Sequence, residues 1–348
     1  MRITLRILLA FFLVLLAVNA AVYVCPMADH PKEYDKPGKC PLCGMTLVEK
    51  ASRFRVAVLV FNYAEDIDFT APIEVLGQSD ALVFTVAATT DPINTVWGLH
   101  IRPDYDLAHA PEADLILIPG GGVNNALKDD QVVNWIRERA PKAKYVMSVC
   151  NGAFILAKTG LLDGLKATTT AGRIEQLAAE SPKIHVVRER VVDNGKFITA
   201  GGLSSGIDGA LHVIEREYGR ARAEDVARRI EYRWQPESKW SRAQLADMRL
   251  PDVKLPSDAK WQADVSNGDT RQWKIAGHLK IAMGSNEFLD YATKDLATKG
   301  WTLRESADGK RTYVRTDSEG STWRAELISS ADAAGVLRET MSVQAITN

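Results

Sequence analysis

The sequence predicts a mostly parallel α/β sandwich with a nucleophile elbow, preceded by a small cysteine-rich knuckle and followed by a small α+β unit. Three observations carry that expectation. From residue 53 onward, short continuous apolar runs alternate with helix-period segments, the pattern of a parallel sheet covered on both faces. Three of the four cysteines, Cys25, Cys40 and Cys43, fall in one short stretch near the start. The fourth, Cys150, stands alone where an apolar run breaks into an alanine- and leucine-rich helical pattern, so the set reads as a metal cluster plus a separate thiol.

Composition sets the bounds. The 348 residues exceed one typical domain, and 46% of them are hydrophobic, enough for more than one core. With 43 basic against 44 acidic residues the formal net charge is −1, so no global field draws the chain to nucleic acid or anionic lipid. No nucleic-acid partner is expected.

Residues 1–22 are expected to be a signal peptide or a membrane anchor. Arg2 and Arg6 precede the apolar run 7–18, a basic n-region followed by an h-region. Val18-Asn19-Ala20 offers a cleavage site, while the length of the run also suits retention in the inner membrane. The expected location is a bacterial-type periplasm, with the membrane touched only through this segment. Lipid attachment at Cys25 is not expected, because Val24 stands where a small residue is needed.

Residues 23–50 form the knuckle. In Cys40-Pro-Leu-Cys43-Gly44 two thiolates point at one ion, and the glycine permits the tight backbone. Cys25 can close the site as a third sulfur ligand. His30 offers a fourth ligand that suits zinc, whereas Met27 and Met45 add soft thioethers that suit Cu(I) or Ag(I). A heavy-metal ion, Cu(I) or Zn(II), is the expected cofactor here, and none is expected at Cys150. The alternative is a zinc knuckle that only folds a linker. The stretch resembles the small heavy-metal-binding domain of copper-efflux adaptors and copper-transporting ATPases, through Tyr-x-Cys-Pro-Met at 23–27 and Pro-Gly-x-Cys-Pro-x-Cys-Gly-Met at 37–45. In that family a histidine usually follows the first methionine directly; here Ala28 and Asp29 precede His30.

The central unit is expected over 53–235. Strands are predicted at 54–61, 81–88, 114–118 and 145–149, with helices from 71, over 129–139 and after Cys150. In such sheets a site lies at the carboxyl ends of the strands, where residues 61–68, 120–122 and Cys150 all fall. A thiol at a strand–helix turn meets the unpaired N–H groups of the first helical turn, whose field favours a thiolate. The same residues also fit a small buried hydrophobe. Residues 184–199 read as a hairpin about Asn194-Gly195, followed by helices from Gly201 toward Tyr218 and over 222–234.

Residues 236–257, with Pro236, Pro251 and Pro256, read as a linker. Over 258–348 a strand at 273–283, an amphipathic helix at 287–298 burying Phe288, Leu289, Ala292 and Leu296, and strands near 311–315, 322–328 and 336–346 make a small α+β module. It shows no constellation of chemical groups.

Residues 53–235 resemble the DJ-1/PfpI superfamily, the class I glutamine amidotransferase-like group, and within it the isonitrile hydratase and AraC-regulator-sensor branch. The matching motifs begin at Asp68-Phe-Thr-Ala-Pro, Ile118-Pro-Gly-Gly, Ser148-Val-Cys-Asn-Gly, Ala167-Thr-Thr and Ser205-Gly-Ile-Asp. The resemblance implies a flavodoxin-like sandwich in which Cys150 is the nucleophile. It further implies that Asp68 donates to the thiolate or shuttles a proton, and that the N–H groups of Gly121 and Asn151 form an oxyanion hole. Read alone, Asp68 also fits a helix N-terminal cap before Pro72.

Two departures matter. Asn151 stands where the hydratases carry threonine, and Thr170 stands where many relatives carry histidine. His185 and His212 fall in positions that suit packing or the surface, so no Cys-His-Asp triad is expected. The function expected is a cysteine-dependent hydratase or hydrolase of a small electrophilic substrate, isonitrile hydratase-like, joined to a metal-binding segment. The alternatives are a non-catalytic small-ligand sensor or transcription-regulator-like binding module, and an envelope metal-handling or stress protein. Dimers are common in that superfamily, so a homodimer is a partner the resemblance implies.

Overall fold

The computed structural model describes residues 21–346 other than Ala28 and Lys239, so most of the expected export segment lies outside the described residues. No helix among the described residues is long and apolar enough to cross a membrane. Three layers of structure follow one another along the chain.

The knuckle is a three-stranded antiparallel sheet of Tyr23–Val24, Glu33–Tyr34 and Val48–Glu49 around buried Cys25, Cys40 and Leu47. Arg53 ties it to the central unit: its guanidinium donates to Ala81 O at 2.6 Å and Asp80 O at 3.0 Å, and reaches Pro26 O at 3.5 Å.

The central unit comprises β1 (Arg55–Leu59), α1 (Asp66–Gly77), β2 (Leu82–Ala87), β3 (Tyr105–Asp106), β4 (Leu115–Ile118), α2 (Asp130–Arg139), β5 (Tyr145–Val149), α3 (Gly152–Lys158), β6 (Val191–Asp193), β7 (Phe197–Ala200), α4 (Ser205–Tyr218) and α5 (Arg220–Arg229). The sheet runs β6-β7-β5-β4-β1-β2-β3, parallel throughout except for edge strand β6. Its period-two alternation feeds two cores. Val56, Val58, Leu115, Leu117, Met147 and Val149 meet α1, α4 and α5, while Ala57, Leu59, Ile116, Ile118 and Val146 meet α2 and α3.

Three expectations are corrected here. The hairpin is confined to β6 and β7, because His185–Val186 pairs in parallel with Lys166–Ala167 and buries Ile184 against the second core. Helix α1 begins at Asp66, five residues earlier than the apolar pattern suggests, and carries Pro72 inside it. The stretch 236–257 is packed rather than free, with single turns at Arg242–Gln244 and Ala246–Arg249, because Ala246, Leu250, Val253 and Leu255 pack into the C-terminal core.

That last unit comprises β8 (Lys260–Gly268), β9 (Gln272–Lys280), α6 (Ser285–Thr298), β10 (Thr302–Ala307), β11 (Lys310–Thr316), β12 (Thr322–Ala331) and β13 (Leu337–Ala345). Its antiparallel sheet runs β8-β9-β13-β12-β11-β10, and α6 packs on one face. Strands β8 and β10, which the apolar pattern does not reveal, are its two edges and are exposed along their whole length.

Candidate functional site

Strand β5 is fully buried and ends at Cys150, whose φ of +55° places a non-glycine residue in the left-handed region. That conformation costs roughly 1–2 kcal/mol and is held by its surroundings. The Cys150 N–H donates to Ala200 O and Gly201 O, and its carbonyl accepts the Thr169 hydroxyl at 2.8 Å. Two glycines let the neighbouring loop close in. A Cβ on Gly152 would lie 2.2 Å from Ile118 O, and one on Gly120 would lie 2.5 Å from Asn151 N and 2.8 Å from Asp68 Oδ2.

Asp68, on the first turn of α1, is fully buried. Its Oδ1 accepts the Leu203 N–H at 3.1 Å, its Oδ2 accepts the Gly120 N–H at 3.2 Å, and the carboxyl hydrogen-bonds the Cys150 thiol. The alternative role as a cap is excluded by position: Glu65 occupies the N-cap and Asp68 points away from the helix end. Burial pushes the Asp68 carboxyl up to about 7, against the pull of the Leu203 N–H, the thiol and the Gly120 N–H.

Cys150 is buried beneath this carboxyl. Burial and then the Asp68 charge push its thiol up to about 12, although the Asn151 N–H and the Thr170 hydroxyl both point at the sulfur. This overturns the expectation of a field-stabilised thiolate. Helix α3 spans only Gly152–Lys158, and its first N–H groups do not outweigh desolvation beside a carboxylate.

Asn151 and Gly121 also come together, the Asn151 side-chain amide donating to Gly121 O at 3.2 Å. The Asn151 Oδ1 is buried without a hydrogen-bond partner among the described residues. His212 pairs with Asp193 at 2.8 Å and His185 lies on its short strand; neither is a partner of Cys150. Thr170 and Leu203 were not singled out as site residues by the sequence. The signal for Leu203 is the Gly201-Gly202 pair before α4: a Cβ on Gly202 would lie 2.6 Å from Thr170 Oγ1 and 3.6 Å from Cys150 Sγ, and Leu203 follows it at φ +56°.

In the knuckle, ligand atoms of Cys25, His30, Cys40 and Cys43 all lie within 4.8 Å of one another. Cys25 Sγ is 3.5 Å from both Cys43 Sγ and His30 Nδ1, and Cys40 Sγ is 3.7 Å from His30 Nδ1. Tetrahedral bonds of about 2.3 Å to sulfur imply ligand separations of roughly 3.7 Å, so the four residues fit one ion. His30 joins the group despite its displaced position in sequence. Burial pushes the Cys25 thiol up to about 11; burial also opposes ionisation of Cys40, but the N–H groups of Leu42 and Cys43 bring it down to about 7. Met27 is exposed and Met45 half-buried.

A flavodoxin-like sandwich with a cysteine elbow under a buried carboxyl, carrying a separate Cys/His metal group, defines the class of protein. A sequence model of the DJ-1/PfpI family matches residues 54–216, and one of the heavy metal binding domain matches residues 22–50. The isonitrile hydratase of Pseudomonas putida is 34% identical over 182 residues, covering 51% of this chain and 78% of that enzyme. The chain belongs to the DJ-1/PfpI family, and it carries an N-terminal heavy metal binding domain. The HTH-type transcriptional regulator GbdR of Pseudomonas aeruginosa is 30% identical over 130 residues, 36% of this chain but only 35% of the regulator. The crystal structure of a THiJ/PfpI family protein from Pseudomonas syringae superposes with a TM-score of 0.50 at 29% identity, covering 54% of this chain and 78% of that one.

Proposed function

We propose that the chain is an exported protein whose central unit uses Cys150 to hydrate or hydrolyse a small electrophile, as an isonitrile hydratase does, while residues 23–50 hold Cu(I) or Zn(II). The observation that carries the reading is the Asp68–Cys150 contact. A buried carboxyl poised near 7 can take or return a proton at neutral pH beside the nucleophile. Export rests on the basic and apolar character of residues 2–18.

With an isonitrile, the Asp68 carboxylate takes the thiol proton and passes it to the terminal isonitrile carbon as Sγ bonds to that carbon. The product is a thioimidate. Water then adds to the same carbon, the C–S bond breaks, the thiol regains a proton and an N-substituted formamide leaves. The N–H groups of Gly121 and Asn151 are the donors for negative charge that develops as water adds. A thiol held near 12 supplies thiolate only during this transfer. At the knuckle a bound ion would contribute a thiolate-sequestering metal centre; no step at Cys150 needs it.

The test is the conversion of an alkyl isonitrile to its formamide, followed by NMR. The chain should turn over, Cys150→Ser should abolish turnover with the fold intact, and Asp68→Asn should lower it at least a hundredfold. The raised thiol and the lack of a histidine partner favour a second reading, a non-catalytic ligand-binding module. That reading takes over if isonitriles, nitriles, amides and aldehydes all go unconverted while Cys150→Ser keeps ligand affinity.

A further inference from the structure

The C-terminal unit contains a buried acid that neither proposed site uses. Along β13 the residues facing α6 are Leu337, Glu339, Met341 and Val343, a stripe in which period two calls for apolar side chains. Glu339 sits in the middle of it, only 5% exposed. Its Oε1 accepts the hydroxyl of Ser329, its register partner on β12, at 2.5 Å. Its Oε2 is buried and has no hydrogen-bond partner among the described residues. Burial pushes this carboxyl up to about 7, with the Ser329 hydroxyl pulling the other way.

Glu339 lines a cavity of about 260 Å³. Trp261, Ile275, Leu279, Phe288 and Leu327 form its walls, and the strap 250–255 closes one side. On β9 the register partner of Glu339 is Gly277, over which the Trp261 ring lies, 2.9 Å from where a Cβ would stand. The charged residues of the lining are Glu339 and Asp252, both acidic. Asp252 stands at the exposed rim, 3.5 Å from Lys299.

A buried polar atom without a partner is retained at a cost in stability, and an apolar chamber around it offers no water-like compensation. We propose that this cavity binds a small lipophilic amine. The ammonium group pairs with the Glu339 carboxylate, and the apolar body lies against Phe288, Leu279 and Leu327 beneath the Trp261 ring. The acid-only lining selects a cation over an anion, and the aromatic faces add cation–π attraction. This site is independent of the chemistry at Cys150.

The test is calorimetric titration of the whole chain at pH 8 with tryptamine, its neutral analogue tryptophol and its anionic analogue indole-3-acetate. Tryptamine should bind with one-to-one stoichiometry, tryptophol at least tenfold more weakly and indole-3-acetate more weakly still. Glu339→Gln, which keeps the shape and removes the charge, should lose at least tenfold in tryptamine affinity and leave tryptophol unchanged. The proposal is overturned if tryptophol matches tryptamine, if Glu339→Gln binds tryptamine as tightly as the parent, or if millimolar tryptamine gives no binding. Should Glu339→Gln fail to fold, the order of the three compounds on the unaltered chain still decides.

Discussion

The Leu203 N–H donates to Asp68 Oδ1 at 3.1 Å across a sequence separation of 135 residues. This contact, with that of Gly120 N–H, fixes both carboxyl oxygens and leaves the acid facing Cys150. The orientation of the central acid is thus set by two backbone donors from loops at the carboxyl ends of two different strands.

Removing that acid should change the thiol. The Asp68 charge helps to hold Cys150 near 12, so Asp68→Asn should lower the pH midpoint of Cys150 alkylation, while burial keeps it above the ordinary thiol value. Alkylation rate against pH, read by mass spectrometry with metal removed, measures this. An unmoved midpoint would break the proposed coupling.

Stability should follow the same group with a defined sign. The Asp68 carboxyl titrates near 7 in the folded chain and near 3.8 when unfolded, so the native state binds more protons between these values and stability falls as pH rises through them. The loss has an upper bound of about 4 kcal/mol. Asp68→Asn should therefore gain on the parent in denaturant melts at pH 8 and lose that advantage at pH 4.

At the elbow, Gly152→Ala places a methyl group 2.2 Å from Ile118 O, a backbone atom at the end of β4. Backbone shifts of this kind cost typically 1–3 kcal/mol, and here they displace the turn that carries Cys150. The variant should melt lower, and Cys150 alkylation should become faster as the site opens.

The knuckle should bind one ion per chain. Replacing Cys25 or Cys40, both buried in the cluster, should abolish tight binding of Zn(II) in equilibrium dialysis, and His30→Ala should weaken it. Met27→Ala should leave Zn(II) affinity unchanged, because this side chain is 45% exposed. The triple change of Cys25, Cys40 and Cys43 to serine should also make Cys150 more sensitive to copper, if the knuckle diverts thiophilic metal from it. Equal copper sensitivity would remove that protective role.

Arg188 should couple the central and C-terminal units. It is 5% exposed, pairs with Glu175 and with Glu319 at 3.0 Å, and donates to Ala243 O. Arg188→Ala removes the Glu175 pair and one of the two cations on Glu319, while Arg249 still stands 3.6 Å from Glu319 and donates to Ala243 O at 2.7 Å, so the cost should be about 1.5–3 kcal/mol, as for lost hydrogen bonds to charged groups. Calorimetry should show a single unfolding transition splitting into two.

Most of the central sheet was legible because its strands are buried on both faces and stand out as short apolar runs bounded by turns. The edge strands β8 and β10 were not, since they are exposed along their length and bear no alternation. The expected hairpin failed at 184–187 because local turn chemistry at Asn194-Gly195 sets only the nearest pairs. The competing partner, Lys166–Ala167, lies about twenty residues upstream.

What the sequence by itself determined is the order of elements, the glycine-framed elbow at Cys150 and the paired cysteines of the knuckle. These depend on periodicity and on residues a few positions apart. The tertiary structure alone decided that the Cys150 thiol is raised rather than lowered, that His30 reaches the cysteines, and that Glu339 is buried with one oxygen unpaired. The first and the last are matters of desolvation and of contacts between distant segments, while the His30 contact is local and depends on how the stretch 23–50 folds.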